Sequence, residues 1–116
     1  MRVVRIIPDL TVADIAATRD FYGGYLGLDH QEMGLDWVTR YVAPTGAHLQ
    51  VLTHDAGAPV PPVISVAVED VDQAYQEAVQ RGFEIVHPLT TETWGVRRFF
   101  VRDPDGHVLN ILQHRD

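Results

Sequence analysis

Cysteine is absent from the chain. Its absence excludes a disulfide framework, a thiol nucleophile and any thiolate metal site. A basic surplus is missing too. Nine Lys and Arg stand against sixteen Asp and Glu, for a formal net charge of −7 and a pI of about 5.2. A nucleic-acid backbone calls for a basic face, so no nucleic-acid partner is expected. The global sign leaves room for an anionic small molecule, because a local cluster of arginines outweighs it at short range. No apolar run approaches the length of a membrane span, and "MRVVRIIPDL" lacks the long apolar centre and cleavage site of a secretory signal. No membrane partner and a cytoplasmic location follow as expectations. What the chain does have is 46% apolar residues in 116, enough for one ordinary domain with a real core.

The chain repeats itself. "PTGAHLQVL" (44–52) lies under "PDGHVLNIL" (104–112), so that Pro44 meets Pro104, Gly46 meets Gly106 and Gln50 meets Asn110. Upstream, "IIPDLTVADIAATRDFY" lies under "VISVAVEDVDQAYQEAV", with Ile7 against Val63 and Asp14 against Asp70. Each half reads as strand, helix, then two or three strands. The Val- and Ile-rich runs 2–8 and 63–68 are the leading strands. Asp14 and Asp70 are placed to cap helices over 14–26 and 70–81, and Gly27 and Gly82 to stop them. The proline-rich stretch "DAGAPVPP" (55–62) reads as the connection between module one (1–56) and module two (61–116) of a single domain, 1–116.

The turn in "RDPDGH" fixes a register. Proline suits the second position of a type I turn and glycine the left-handed residue after it, which pairs Asp103 with His107. Arg98 then faces Leu112, Phe100 faces Asn110 and Arg102 faces Val108, all on one side of the sheet. Phe99, Val101, Leu109 and Ile111 share the other side and are expected under the helices. By the repeat, His48, Gln50 and Leu52 share a face with Val38, Arg40 and Val42. Val3, Arg5 and Ile7 take the open side of the first leading strand, and Val63, Ser65 and Ala67 that of the second.

"RDFYGGYLGL", "VEDVDQAYQEAVQRGFEIV", "ETWGVRRFFVRDPDGHVLNI" and the doubled module, taken in this order, resemble the vicinal-oxygen-chelate superfamily of glyoxalase I, bleomycin-resistance proteins and extradiol dioxygenases. The resemblance covers nearly the whole chain. It implies an α+β fold of two tandem βαβββ modules whose curved mixed sheets enclose a cleft, and it implies a homodimer. Metal enzymes of this kind take ligands from four strand positions, which fall here on Ile7, Gln50, Val63 and Asn110. Two are aliphatic and two are neutral amides, so no metal and no other cofactor is expected. A carboxylate at position 110 would have pointed to a metal; an amide there points to hydrogen bonding with a ligand.

The expected ligand-binding set is Arg5, Ile7, Arg40, His48, Gln50, Val63, Trp94, Arg98, Phe100 and Asn110. Arg5, Arg40 and Arg98 would either be solvated at the cleft rim or meet an anion, since a guanidinium pairs with carboxylate or phosphate through two hydrogen bonds. Gln50 and Asn110 would orient the ligand; Phe100 would form an apolar wall or pack in the core, and Trp94 would act as a lid or dimer contact or pack its own loop. Trp37, on the parity of Tyr41, is expected in the core. Asp9, Asp36 and Glu92 are the acidic residues in or near loops that would serve as a base, and nothing in the sequence marks one of them or any other catalytic residue. The reading is a metal-independent binder of a small anionic or aromatic compound such as an antibiotic. Its rivals are a glyoxalase-like lyase or isomerase and a vestigial regulatory or interaction module.

Overall fold

The structure, a computed structural model, describes residues 1–114. In chain order it has β1 (Val3–Thr11), a π-helix (Arg19–Tyr25), β2 (Asp29–Glu32), β3 (Val38–Val42), β4 (His48–Leu52), β5 (Ile64–Val68), α1 (Val71–Gln80), β6 (Ile85–Thr91), β7 (Val96–Arg102) and β8 (Val108–His114). Each half is a βαβββ module with three strands after its helix. The expected pair of mixed sheets is present, one for each module, and β1 belongs to both, so that they join into one eight-stranded sheet in the order β2-β3-β4-β1-β5-β8-β7-β6. The modules join where β1 and β5 run antiparallel, and each leading strand lies parallel to the last strand of its own module, β1 with β4 and β5 with β8.

The sheet curls strongly. Trp37 precedes β3 and Trp94 precedes β7, five strand spacings apart in the sheet order. Laid flat, that separation would be about 24 Å at ~4.8 Å per strand. Their rings meet edge to face with centroids 5.5 Å apart. The two wings of the sheet therefore fold toward each other and leave a cleft between them.

The convex side carries the main core. Val71, Ala74 and Ala78 on α1 pack on Val66, Val68, Phe99 and Ile111, with Val101 and Leu109 at the margin. These include the four β7 and β8 residues assigned to the helix side, and the strand registers agree: Arg98 pairs with Leu112, Phe100 with Asn110 and Arg102 with Val108. The turn closes as its chemistry requires, with Asp103 N–H donating to His107 O at 2.9 Å. The repeat carries the same register to module one, where Arg40 pairs with Gln50 and Val42 with His48.

The second helix matches its expected span, and the Asp70 side chain accepts from Gln73 N–H at its N-terminus. The first does not. Asp14 accepts from Ala16 N–H in a local turn, and regular winding begins only at Arg19, as a π-helix in which Leu26 N–H reaches Phe21 O. The adjacent Gly23 and Gly24 explain the looser winding, because glycine is a poor helix former and imposes little on its turn. Both helices still stop where expected, with Gly27 at φ +73° and Gly82 at φ +74°.

The leading strand β1 runs past Pro8 to Thr11, beyond the expected end at residue 8. Backbone N–H groups alternate sides along a strand, and Asp9 N–H donates to Val63 O on the β5 side. The Pro8 nitrogen therefore faces the β4 side, where pairing begins only at Asp9. A proline at that point interrupts no bond. Among the described residues, no helix is long and apolar enough to cross a membrane.

Candidate functional site

The concave face holds a cleft of about 320 Å³. Of the ten residues expected to line it, Arg5, Ile7, Arg40, Gln50, Trp94, Arg98 and Asn110 do so. Val63, His48 and Phe100 do not. Val63 keeps the parity of Ser65 but lies before β5 at the open end of the sheet, 44% exposed. His48 sits at the start of β4 beyond the cleft rim, where its Nδ1 accepts from Arg5 Nη1 at 3.4 Å. Phe100 is wholly buried, with its ring 4.8 Å from the Arg98 guanidinium carbon, so it underlies that arginine instead of facing a ligand.

The polar centre of the cleft lies one pleat away from the expected place. Because β1 and β4 are parallel, as are β5 and β8, Gln50 stands beside Asp9 and Asn110 beside Ser65. Asp9 and Ser65, not Ile7 and Val63, are thus the leading-strand residues that meet the two amides. The four form a continuous hydrogen-bonded row. Arg40 Nη2 donates to Gln50 Oε1 at 2.8 Å, and Gln50 Nε2 to Asp9 Oδ1 at 2.7 Å. From the other side Asn110 Nδ2 donates to Ser65 Oγ at 3.1 Å, and Ser65 Oγ to Asp9 Oδ2 at 2.6 Å. The sequence held the signal: Asp9 and Ser65 keep the same offset as Ile7 and Val63, and Asp9 is a charge in a Val- and Ile-rich run.

Asp9 is only 5% exposed. Burial pushes its carboxyl up from 3.8 to about 6, and nearby Asp55 pushes the same way, against the hydrogen bonds from Ser65 and Gln50 and the charge of Arg40. Of the three acidic candidates, Asp9 alone offers a carboxylate to the cleft free of a cationic partner at salt-bridge distance. Asp36 is exposed outside it, and Glu92 is ion-paired.

The three arginines divide into two kinds. Arg98 is committed: its guanidinium donates to both oxygens of Asp55, at 2.8 and 2.7 Å, and to Glu92 Oε2 at 2.9 Å, with all three side chains at most 8% exposed. One cation held by two carboxylates carries no surplus positive charge, so the expected anion contact at Arg98 is not supplied. Asp55 comes from the stretch between the modules, which therefore seats the cluster as well as connecting the halves. Arg5 and Arg40 are different: among the described residues, no carboxylate pairs with either in a salt bridge. Burial, and then the neighbouring Arg5, push the Arg40 guanidinium down from its usual range. Arg40 Nε and Asn110 Oδ1 are both buried and without a hydrogen-bond partner among the described residues.

Apolar side chains make up much of the remaining wall. Trp37, Val38 and Leu52 cluster with Met33, Leu35 and Trp94, and Trp94 also packs on Ala67, Val96 and Leu112. Trp37 is buried as expected, 8% exposed, but in the cluster on the cleft side and not with Tyr41, because it stands in the turn before β3, where strand alternation has not begun.

The metal implied by the resemblance does not fit this donor set. Ile7 offers no donor atom and Val63 lies outside the cleft. Gln50 and Asn110 are neutral, and both Asp9 oxygens already accept hydrogen bonds. Among the described residues, no group of three His, Cys, Asp or Glu side chains is placed to hold an ion.

Three solved structures share the fold. A Legionella pneumophila protein described as an NAD-dependent benzaldehyde dehydrogenase is 22% identical, with a TM-score of 0.76 over 96% of this chain and 100% of its own. A glyoxalase/bleomycin resistance protein/dioxygenase superfamily member from Vibrio splendidus is 17% identical, with a TM-score of 0.71 over 97% and 99%. A hypothetical protein from Bacillus halodurans is 13% identical, with a TM-score of 0.72 over 95% and 93%. At these identities the likeness is one of fold alone. No curated protein gives a significant match. Residues 2–111 match the family model described as Glyoxalase/Bleomycin resistance protein/Dioxygenase superfamily. With the doubled βαβββ sheet and its central cleft, that match over nearly the whole chain makes this protein a member of the glyoxalase/bleomycin resistance protein/dioxygenase superfamily.

Proposed function

We propose that the protein binds a small organic anion with an apolar or aromatic body, without a metal ion. The observation that carries this reading is the pairing, in one cleft, of two arginines lacking carboxylate partners with a wall of Trp37, Trp94, Leu52, Val96 and Leu112. Arg40 meets the opposite charge of Asp9 only through Gln50, and a partly buried guanidinium with no carboxylate at salt-bridge distance is costly unless an anion meets it. The apolar wall supplies contact area for the remainder of such a ligand. Arg40 and Arg5 are assigned to the anionic group, Gln50 and Asn110 to orientation, and the tryptophans to the apolar body. Sequestration of an antibiotic-like compound is one use of such a site.

The test is a titration with phenylacetate and its uncharged analogue phenylacetamide, followed by thermal stability. A ligand at 100 times its dissociation constant adds about 2.7 kcal/mol. The carboxylate is expected to stabilise the protein, the amide not, and Arg40→Ala to abolish the difference. Chelator treatment is expected to leave binding unchanged. A stoichiometric divalent ion in the purified protein, lost together with binding, would overturn the reading.

One observation favours a second reading, a lyase or isomerase. A buried cleft carboxyl poised at about 6 is suited to taking and returning a proton near neutral pH. Turnover of a carbon acid that disappears in Asp9→Asn would establish it. We also propose a homodimer. Its support is the strip of Val4, Ile6 and Leu10 on the outer face of β1, exposed by 59%, 60% and 42%.

A further inference from the structure

The row of hydrogen bonds across the cleft has a direction, and that direction selects among ligands. Asp9 is ionised when its carboxylate accepts from both sides. Its Oδ2 takes the single hydroxyl hydrogen of Ser65. Ser65 then has only lone pairs to offer Asn110, so the Asn110 amide must turn its NH2 toward Ser65. Its carbonyl oxygen is left as the group that Asn110 offers elsewhere. That oxygen is buried and unpartnered among the described residues, on a cleft-lining side chain that is 7% exposed. On the other side the Gln50 amide is pinned twice, with its NH2 on Asp9 and its carbonyl oxygen held by Arg40. Two charges, one at Asp9 and one at Arg40, thus fix the orientation of every neutral group in the row.

A buried acceptor without a partner costs about 1–3 kcal/mol, and a ligand group that satisfies it recovers that cost. Resting on the proposed binding of an organic anion, we infer that Asp9 sets the polarity that Asn110 shows to the cleft, so that the ligand carries a hydrogen-bond donor, N–H or O–H, in addition to its anionic group. The donor meets Asn110 Oδ1 and the anion meets Arg40, whose own Nε also lacks a partner. A compound of the same shape with an ether or ketone in place of the donor sets two acceptors against each other and is rejected.

The same logic says how the preference reverses. When position 9 carries a hydrogen, that hydrogen points either to Gln50 or to Ser65. Gln50 is held in place by Arg40, so Ser65 is the side that yields. Ser65 then accepts from position 9 and donates to Asn110, whose amide turns over and offers NH2 to the cleft. Asp9→Asn makes this change permanently, and protonation of Asp9 makes it in the unaltered protein. The charges that act on Asp9 are those of Asp55 and Arg40, and Arg5, Glu32, Arg98 and His114 line the same cleft.

The experiment uses the full chain, phenylacetate, its three ring-hydroxylated isomers and their three methyl ethers, with binding followed by tryptophan fluorescence and calorimetry. The three isomers scan the distance between donor and carboxylate. At neutral pH at least one hydroxylated isomer is expected to bind about tenfold tighter than its methyl ether, the factor of about 1.4 kcal/mol that one satisfied buried acceptor supplies. Asn110→Leu should bring that ratio to one, and Asp9→Asn should invert it in favour of the ether. Lowering the pH to about 5 should move the ratio of the unaltered protein toward that of Asp9→Asn, an arm that does not depend on any variant folding. Equal affinity within all three pairs would overturn the inference while leaving anion binding intact, as would phenylacetate binding alone. A ratio that survives Asp9→Asn would remove Asp9 from the role assigned to it. Failure of every arylcarboxylate, phenylacetate included, would instead overturn the proposed function on which the inference rests.

Discussion

Asp9 and Ser65 stand at the same place in the two halves of the chain, and they hydrogen-bond to each other across the junction, Oγ to Oδ2 at 2.6 Å. Asp9 neighbours Gln50 as Ser65 neighbours Asn110. The duplicated position has thus become a charge in one module and the hydroxyl that serves it in the other.

Stability should fall as Asp9 ionises. Each pH unit is worth about 1.4 kcal/mol, so raising the carboxyl from 3.8 to about 6 makes its charged form cost about 3 kcal/mol in the folded state. The folded protein holds the extra proton between those two values, so this contribution is complete below about pH 4 and lost as pH rises through about 6. Asp9→Asn has no such dependence. Urea unfolding between about pH 4 and pH 8 should show the variant gaining about 3 kcal/mol relative to the unaltered protein. A difference that stays flat would mean that Asp9 is not held up.

Removing Arg98 should be far more damaging than removing Arg5. Arg98→Met leaves Asp55 and Glu92 buried without their cation, which costs about 3–5 kcal/mol. Arg98→Lys keeps the charge but not the fork that grips both Asp55 oxygens, and should fall between. Chemical denaturation of these two variants and of Arg5→Met measures the order. A stable Arg98→Met would contradict the structural role given to this residue.

Gly57 has no room for a side chain. A Cβ there would press on the Glu92 carboxylate and lie 2.9 Å from Arg98 Nη2 and 3.0 Å from the Trp94 ring. Gly57→Ala should therefore lower stability by about 1–3 kcal/mol, as overpacking does. Gly23→Ala, whose nearest such contact is 3.8 Å, is the control and should leave the melting temperature nearly unchanged.

Both tryptophans of the chain line the cleft, so its intrinsic fluorescence reports on that site. A bound arylcarboxylate should shift or quench the emission in a saturable way. Trp37 and Trp94 should also be energetically coupled by about 0.5–1.5 kcal/mol in a double-mutant cycle, given their edge-to-face contact at 5.5 Å. Additive losses would show that the two wings of the sheet are not held together there.

Ile6→Lys should shift the protein toward monomer in light scattering after gel filtration. The substitution sets a charge in the exposed strip of β1 while leaving the cleft face of that strand untouched. An unaltered protein that is already monomeric at high concentration would end the homodimer proposal.

The register of the sheet was legible because one turn, "RDPDGH", dictates its own pairing, and a repeat carries that pairing to the other half. The cleft face followed from alternation. Three features did not follow. Pro8 read as the end of a strand, which put Asp9 in a loop and not on the cleft face of β1, because the tolerance of a proline depends on which neighbour faces its nitrogen. Arg98 read as free, because its partner Asp55 is 43 residues away and is delivered by a loop of no regular pattern. The side on which Trp37 is buried could not be read, because parity says nothing about a residue just outside its strand.

A hollow made by copying one unit begins indifferent to which way round its guest lies. Here the matched positions have grown apart: Arg40 answers to Phe100, Gln50 to Asn110 and Asp9 to Ser65. One wing presents ions where its twin presents a buried ring and neutral groups. The symmetry that built the chamber survives in the order and pairing of the strands, and a lopsided guest has a single orientation in which to be held.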